Sequence, residues 1–249
     1  MKKNVFCLSA FFLMVGWCLP AEQGPEILRQ VEDKLTGATA PRDMSARMDM
    51  TITRGGDKRV RQLLAWTRNN PGGDNWRVMK LQAPADVRGI GLLVLAEDQM
   101  YVYLPEFRRV RRIASANRKD AFVGSDFSYE DLSASGFLEY YEARLLSSDE
   151  KQYELELSAR PNSDKPYSKI LMTVSVETLL PVRLRMYDPG GRLWKECTQV
   201  SQQLGKYQVV REFSMRDLQR NSETLLVLSD IELDVGLDDE IFSERFIKR

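Results

Sequence analysis

The sequence predicts a mainly β protein with a few helices: a single curved antiparallel sheet forming an open half-barrel with a helical lid. Three observations carry this. Apolar residues recur at every second position in six separate stretches of chain, the signature of half-buried strands. Turn residues divide those stretches at short intervals, which favours hairpins joined in a meander. Helical spacing is confined to short segments near the two ends.

The first segment reads as an address. Lys2 and Lys3 precede an apolar run from Val5 to Leu19, about the length of a signal-peptide core and short for a membrane span. Leu19-Pro20-Ala21 offers a cleavage site after Ala21. The competing reading is lipidation of Cys18, but bulky Trp17 stands where a lipobox expects a small residue. The expected division is therefore a signal peptide over 1–21 and one domain over 22–249, placed in the periplasm.

The remaining 228 residues are enough to bury a substantial core. A first helix is expected where Ile27, Leu28, Val31 and Leu35 recur at helical spacing between Pro25 and Gly37. The first alternating strand follows, with Met44, Ala46, Met48, Met50 and Ile52 on one face and Ser45, Arg47, Asp49, Thr51 and Thr53 on the other. The pattern returns at Tyr153–Ala159, Ile170–Val176, Val182–Met186, Tyr207–Met215 (Arg211 excepted) and Leu225–Leu233. Arg54-Gly55-Gly56-Asp57, Asn70-Pro71-Gly72-Gly73 and Asp188-Pro189-Gly190-Gly191 are loop signals, because glycine reaches positive φ and proline cannot continue a ladder. Ten or eleven strands are expected in all. The stretch from Ser115 to Tyr140 breaks the alternation and reads as a loop with short helical turns. Asp238 is placed to cap a short C-terminal helix presenting Ile241, Phe242 and Phe246.

An apolar sheet face must be covered, and the helices look too few to fill a broad concavity. The methionine-rich face therefore has two readings: ordinary core, or the lining of an adaptable apolar pocket. Met44, Met48, Met50, Ile52, Met172 and Met186 are the candidate residues lining such a pocket.

Composition excludes much chemistry. The chain has no histidine, which removes Ser-His-Asp and Cys-His catalysis and histidine-based zinc sites. With Cys7 and Cys18 in the leader, Cys197 stands alone, so no internal disulfide is expected, and its alternating setting suggests a buried small residue. Removing Lys2 and Lys3 leaves 34 basic against 36 acidic residues, a net charge of −2. Such a chain is a poor general nucleic-acid binder.

Gly124-Ser125-Asp126 could pass for a nucleophile turn, but it lacks a histidine base and the Gly-x-Ser-x-Gly pattern. Ser125 or Asp126 capping the following turn is the preferred reading. Asp126 with Glu130 is a weak calcium pair, and no metal, cofactor or catalytic residue is assigned. Arg108, Arg109, Arg111 and Arg112 are the sharpest local feature. As a strand they divide into Arg109 and Arg111 on one face and Arg108 and Arg112 on the other. They would dock an anionic headgroup or an acidic partner, protect a solvated edge strand by charge, or pair internally with Asp126, Glu130 and Asp131.

Tyr103-Leu104-Pro105, Arg108 to Ile113, and Gly124-Ser125-Asp126-Phe127-Ser128-Tyr129-Glu130-Asp131-Leu132 together resemble the signature of the outer-membrane lipoprotein-sorting (LolA/LolB-like) family. Pro84-Ala85-Asp86-Val87-Arg88-Gly89 and Asp239-Glu240-Ile241-Phe242-Ser243 add to the likeness, with Gly124, Ser125, Asp126, Tyr129 and Asp131 as motif residues. The resemblance implies an unclosed antiparallel barrel with helices over its mouth, holding acyl chains in an apolar cavity. The expected function is a non-enzymatic periplasmic carrier of lipids or lipoproteins, working with an inner- or outer-membrane transport partner. The alternative is a cell-envelope interaction module that docks a membrane transporter and carries nothing.

Overall fold

The computed structural model describes residues 20–71, 73–133, 136–161 and 163–249. The leader up to Leu19, with Cys18, lies outside them. Thirteen strands form one antiparallel sheet. They are β1 (Asp43–Arg54), β2 (Asp57–Arg68), β3 (Trp76–Ala83), β4 (Gly91–Ala96), β5 (Gln99–Leu104), β6 (Arg109–Arg112) and β7 (Tyr141–Ser148). There follow β8 (Gln152–Ala159), β9 (Lys169–Ser175), β10 (Pro181–Tyr187), β11 (Leu193–Leu204), β12 (Tyr207–Asp217) and β13 (Ser222–Leu233). The spatial order runs β6-β5-β4-β3-β2-β1-β13-β12-β11-β10-β9-β8-β7. Among the described residues β6 and β7 do not pair, so the sheet is an open half-barrel.

The chain path explains the lid. Six strands step outward from β1 by hairpins. The chain then leaves the β6 edge, crosses to the opposite edge, and seven strands step back until β13 pairs with β1. The crossing segment spans residues 113–140 and holds 3-10 turns at Ser115–Asn117 and Phe122–Gly124 and the one-turn helix α2 (Tyr129–Ser133). The lid is thus mostly irregular chain.

Local chemistry accounts for the hairpins. Gly55 and Gly56 both have positive φ, 57° and 90°, in the turn between β1 and β2. That is the backbone a two-residue hairpin requires, and glycine adopts it without a Cβ penalty. Arg211, the exception in its alternating run, is passed over where the β11–β12 register shifts between Val200 and Ser201, as a bulge demands.

The expected count of ten or eleven strands falls short of thirteen for a physical reason. Gly91, Leu92, Leu93 and Val94 of β4 are all buried, because both faces of the sheet are covered there. Alternation is then lost. On the concave side Leu63, Leu81, Leu92, Met100, Leu155 and Met172 build the main core. On the convex side Val78 and Leu93 meet Phe242 and Ile247.

The C-terminal segment that supplies this second core is two pieces rather than one helix. Asp238 caps a 3-10 turn (Asp239–Phe242) by accepting from the Glu240 N–H at 2.8 Å. Ser243 then caps the helix α3 (Glu244–Lys248), accepting from the Phe246 N–H at 3.2 Å. Phe246 meets Trp66 edge-on, with ring centroids 5.1 Å apart.

The N-terminal helix α1 (Pro20–Thr36) runs further back than the expected start at Pro25. Gly24 lets it lie on the backbone of edge strand β7: a Cβ there would stand 2.8 Å from Leu145 N and 2.9 Å from Ala143 O. The helix buries Leu28 and Val31 completely and shields an edge that would otherwise invite pairing. Glu32 at its C-terminal end accepts from the backbone N–H groups of Phe137 and Leu138, tying the helix to the end of the crossing segment.

Candidate functional site

Between the concave face and its cover lies a cavity of about 350 Å³, within the usual range for small-molecule sites. The sheet contributes Ala65, Met79, Met186, Phe213 and Leu228, and the cover contributes Leu35, Phe127, Leu132 and Phe137. The surface is therefore mainly aliphatic, aromatic and thioether.

Three of the six candidate cavity residues, Met44, Met48 and Met186, line this space. Met50, Ile52 and Met172 do not: they are packed into the core, with 1%, 6% and 0% of their surface exposed. The strand pairing shows why for the first two. Met50 lies opposite Arg61 and Leu226, and Ile52 opposite Thr224. Arg61 donates to the Val123 carbonyl, and the Thr224 hydroxyl bonds Asp126. The crossing segment therefore sits on that end of β1 and fills it, leaving the cavity toward Met48 and Met44. Sequence reasoning passed over Met79, which borders the cavity together with Met215.

One wall is charged. Arg77, Glu130, Asp131, Lys165 and Tyr167 all border the cavity. Asp131 accepts from the Tyr167 hydroxyl at 2.6 Å and from Lys195 Nζ at 2.9 Å. Lys195 also donates to the Asp126 carbonyl at 2.8 Å. Lys165 lies 2.6 Å from Glu130 Oε1, pairs with Glu97, and sits 3.7 Å from the centre of the Tyr140 ring. Arg77 donates to the Leu132 carbonyl at 2.7 Å.

Burial perturbs these groups as electrostatics requires. It pushes the Glu130 carboxyl up to about 7, with nearby Arg118 pulling the other way. It draws the Lys165 ammonium down to about 8 and the Arg77 guanidinium down to about 10. The Cys197 thiol, also on the cavity wall, is pushed up to about 12 by burial. A thiol held protonated is a poor nucleophile.

The motif residues prove to be fasteners of the crossing segment. Gly124 has φ 77°, which glycine alone adopts freely. The Ser125 hydroxyl turns back on Phe127, accepting from its N–H and donating to its carbonyl, each at 3.2 Å. Asp126 accepts from the hydroxyls of Ser222 and Thr224 on β13, the latter at 2.7 Å. Tyr129 packs edge-on against Phe122, with centroids 5.8 Å apart.

Neither Ser125 nor Asp126 caps α2. Ser128 does, accepting from the Asp131 N–H at 3.1 Å while Asp131 Oδ2 accepts from the Ser128 N–H at 2.8 Å. This reciprocal pair is a capping box. The calcium pairing of Asp126 with Glu130 also gives way, since each carboxylate faces its own donors. Among the described residues no three acidic or sulfur ligands converge.

Lys195 and Arg77 carried a signal that was missed. Each interrupts an apolar inward-facing series, Lys195 between Leu193 and Cys197 and Arg77 ahead of Met79 and Leu81, and a buried charge in such a row needs a partner. Lys165, in the loop between β8 and β9, carried none.

The arginine cluster stands apart from this cavity wall. Arg109, Arg111 and Arg112 are exposed on edge strand β6. Arg109 and Arg111 lie opposite Leu104 and Val102, and Arg112 opposite Tyr101, so the first two share a face as expected. Arg108 does not belong to the strand. It is left-handed, with φ 50°, and closes the 3-10 turn Pro105–Phe107. Internal pairing with Asp126, Glu130 or Asp131 is also overturned, because those carboxylates are engaged by Ser222, Thr224, Lys165, Lys195 and Tyr167.

The comparisons with known proteins agree with this architecture. A family model described as an uncharacterized protein matches residues 73–249. No curated protein matches the chain. Among solved structures, a DUF1329 family protein from Desulfovibrio piger is 26% identical with a TM-score of 0.84, over 92% of this chain and 99% of that one. A domain from Vibrio parahaemolyticus named for outer-membrane lipoprotein sorting is 27% identical with a TM-score of 0.83, over 92% of this chain and 100% of that one. A LolA superfamily protein from Nitrosomonas europaea, 19% identical, shares the fold with a TM-score of 0.70 over 90% of this chain and 98% of that one. The chain belongs to the family of uncharacterized proteins whose model matches residues 73–249, and its open thirteen-stranded half-barrel is similar in fold to the outer-membrane lipoprotein-sorting and LolA superfamily structures.

Proposed function

We propose that this protein is an exported, non-enzymatic carrier that buries an acyl chain of a lipid or lipoprotein between its concave face and the crossing segment. The single observation that carries the reading is the apolar cavity of about 350 Å³ inside an open half-barrel. Burial of a chain there gains about 0.8 kcal/mol per methylene. Methionines at Met44, Met48, Met79, Met186 and Met215 supply unbranched, polarisable walls that adapt to a flexible ligand. Export rests on the leader, with a signal peptide over 1–21 and the carrier domain over 22–249. N-terminal sequencing of the secreted form should begin at Glu22, and a lipid-modified Cys18 at the start would replace that reading with membrane anchoring.

The cargo test is direct. Native mass spectrometry after gentle purification should show a co-purifying lipid, and the delipidated protein should bind a fluorescent fatty acid. Met186→Trp, which fills the cavity from β10, should weaken that binding at least tenfold while thermal unfolding remains cooperative. A wild-type protein that carries no lipid and binds no probe removes the carrier reading and favours the interaction module.

A further inference from the structure

From the edge of the sheet we infer a second binding surface, distinct from the cavity: the β5–β6 hairpin docks the protein onto an anionic phospholipid surface. Its residues are Phe107, Arg108, Arg109, Arg111 and Arg112, with Arg88 beside them. All are exposed. Phe107 leaves 51% of its surface in solvent, and the Arg111 guanidinium lies 5.2 Å from the centre of its ring. Arg88 belongs to the loop before β4, which packs on the hairpin where Gly89 approaches Pro105.

The cluster is not consumed by internal pairing. Among the described residues only Arg112 has an acidic partner, Asp98 at 3.5 Å, and both of those side chains are exposed. Arg108, Arg109 and Arg111 have no ion pair there. A near-neutral protein thus concentrates positive charge at one edge. Guanidinium groups bind phosphate bidentately, and each arginine near an anionic leaflet adds about 1 kcal/mol of attraction. An exposed phenylalanine among them supplies the amphipathic element that an interface between headgroups and acyl chains accepts. An acidic protein surface would use the charges but give the isolated aromatic tip no comparable role.

Position adds a consequence. Arg109 and Arg111 lie opposite Leu104 and Val102, on the concave side of the sheet, at the edge β6 that fails to meet β7. Docking through them brings that open side toward the bilayer.

The test uses the full mature protein and two kinds of vesicle, phosphatidylcholine alone and phosphatidylcholine mixed with phosphatidylglycerol. Wild type should float with the anionic vesicles, stay behind with the neutral ones, and be released by salt, because exposed charges are screened beyond about 8 Å at physiological ionic strength. Arg109→Gln with Arg111→Gln should weaken anionic binding about 30-fold. Phe107→Ser should weaken it without altering the salt dependence. Arg183→Gln with Arg216→Gln, exposed on strands distant in the sheet order, should leave it unchanged. Equal flotation with neutral vesicles overturns the inference, as does undiminished binding by the Arg109/Arg111 variant or an equal loss in the distant pair; an acidic protein partner or a solvated edge then remains. Fluorescent fatty-acid binding, measured on the same proteins, should be the same in wild type and the Arg109/Arg111 variant. A failed carrier reading shows as absent probe binding with vesicle docking intact, and a failed docking inference as the reverse.

Discussion

Lys165 joins Glu130 at 2.6 Å and also meets Glu97, and so ties three distant pieces of chain together: the β8–β9 loop, α2 of the crossing segment and the β4–β5 turn. These belong to the two arms of the open sheet and to the cover between them. Arg118 of the crossing segment adds a second tie to the same loop through Asp164, at 3.8 Å. The half-barrel is thus fastened by charge where it is not closed by strand pairing.

Burial of Glu130 makes stability depend on pH in a definite direction. Burial raises the folded Glu130 carboxyl to about 7 from a reference of 4.5. A raised folded value means that the protonated form favours folding. That contribution is complete below the reference value and is lost as pH climbs through about 7. Glu130→Gln keeps an oxygen for Lys165 but removes the titration. The unfolding free energy of wild type from urea titrations should fall relative to the variant between about pH 5 and about pH 8, by an amount on the order of 2 kcal/mol. Parallel midpoints across that range would show that Glu130 does not titrate there.

The attachment of the crossing segment to β13 should be similarly measurable. Thr224 is fully buried; its hydroxyl donates to Asp126 Oδ2 at 2.7 Å and accepts from the Asp126 N–H at 2.9 Å. Thr224→Val preserves shape and removes both bonds beside a buried carboxylate. A loss of about 2–3 kcal/mol in unfolding free energy is expected. A change of only a few tenths would mean that Ser222 alone holds Asp126.

The two neighbouring inward methionines of β1 should behave differently. Met50 is packed beneath the crossing segment, whereas Met48 borders the cavity. Met50→Ala should cost about 2–5 kcal/mol in urea unfolding, the usual range for a fully packed side chain. Met48→Ala should cost roughly 1–2 kcal/mol less, because fewer atoms surround the side chain it removes. Fatty-acid affinity should respond in the opposite order, with Met48→Ala the more affected. Equal stability losses would place the cavity elsewhere along the strand.

Much of this was determined by the sequence alone. The period-two rows, the turn residues and the scarcity of helical spacing led to an antiparallel half-barrel. Alternation also assigned the inward face of β1 correctly along its length, since a strand has only two faces and a register slip would expose every apolar group. The motif from Gly124 to Leu132 marked the segment that covers the sheet, and Asp238 was identified as a cap, because caps act within a few residues of chain.

Only the tertiary structure decided which inward residues meet empty space. Met48 and Met50 are alike in sequence; the Asp126–Thr224 and Arg61–Val123 contacts, across 98 and 62 residues, place the cover over one and not the other. Strand β4 was hidden for a related reason, since Phe242 and Ile247 cover its second face from the far end of the chain. The charged wall was hidden as well. Lys165, Glu130 and Glu97 come from three segments, and no local pattern shows that their charges converge. Strand periodicity is a property of neighbours in the chain, whereas a cavity and its fastenings depend on which distant segments fold over which.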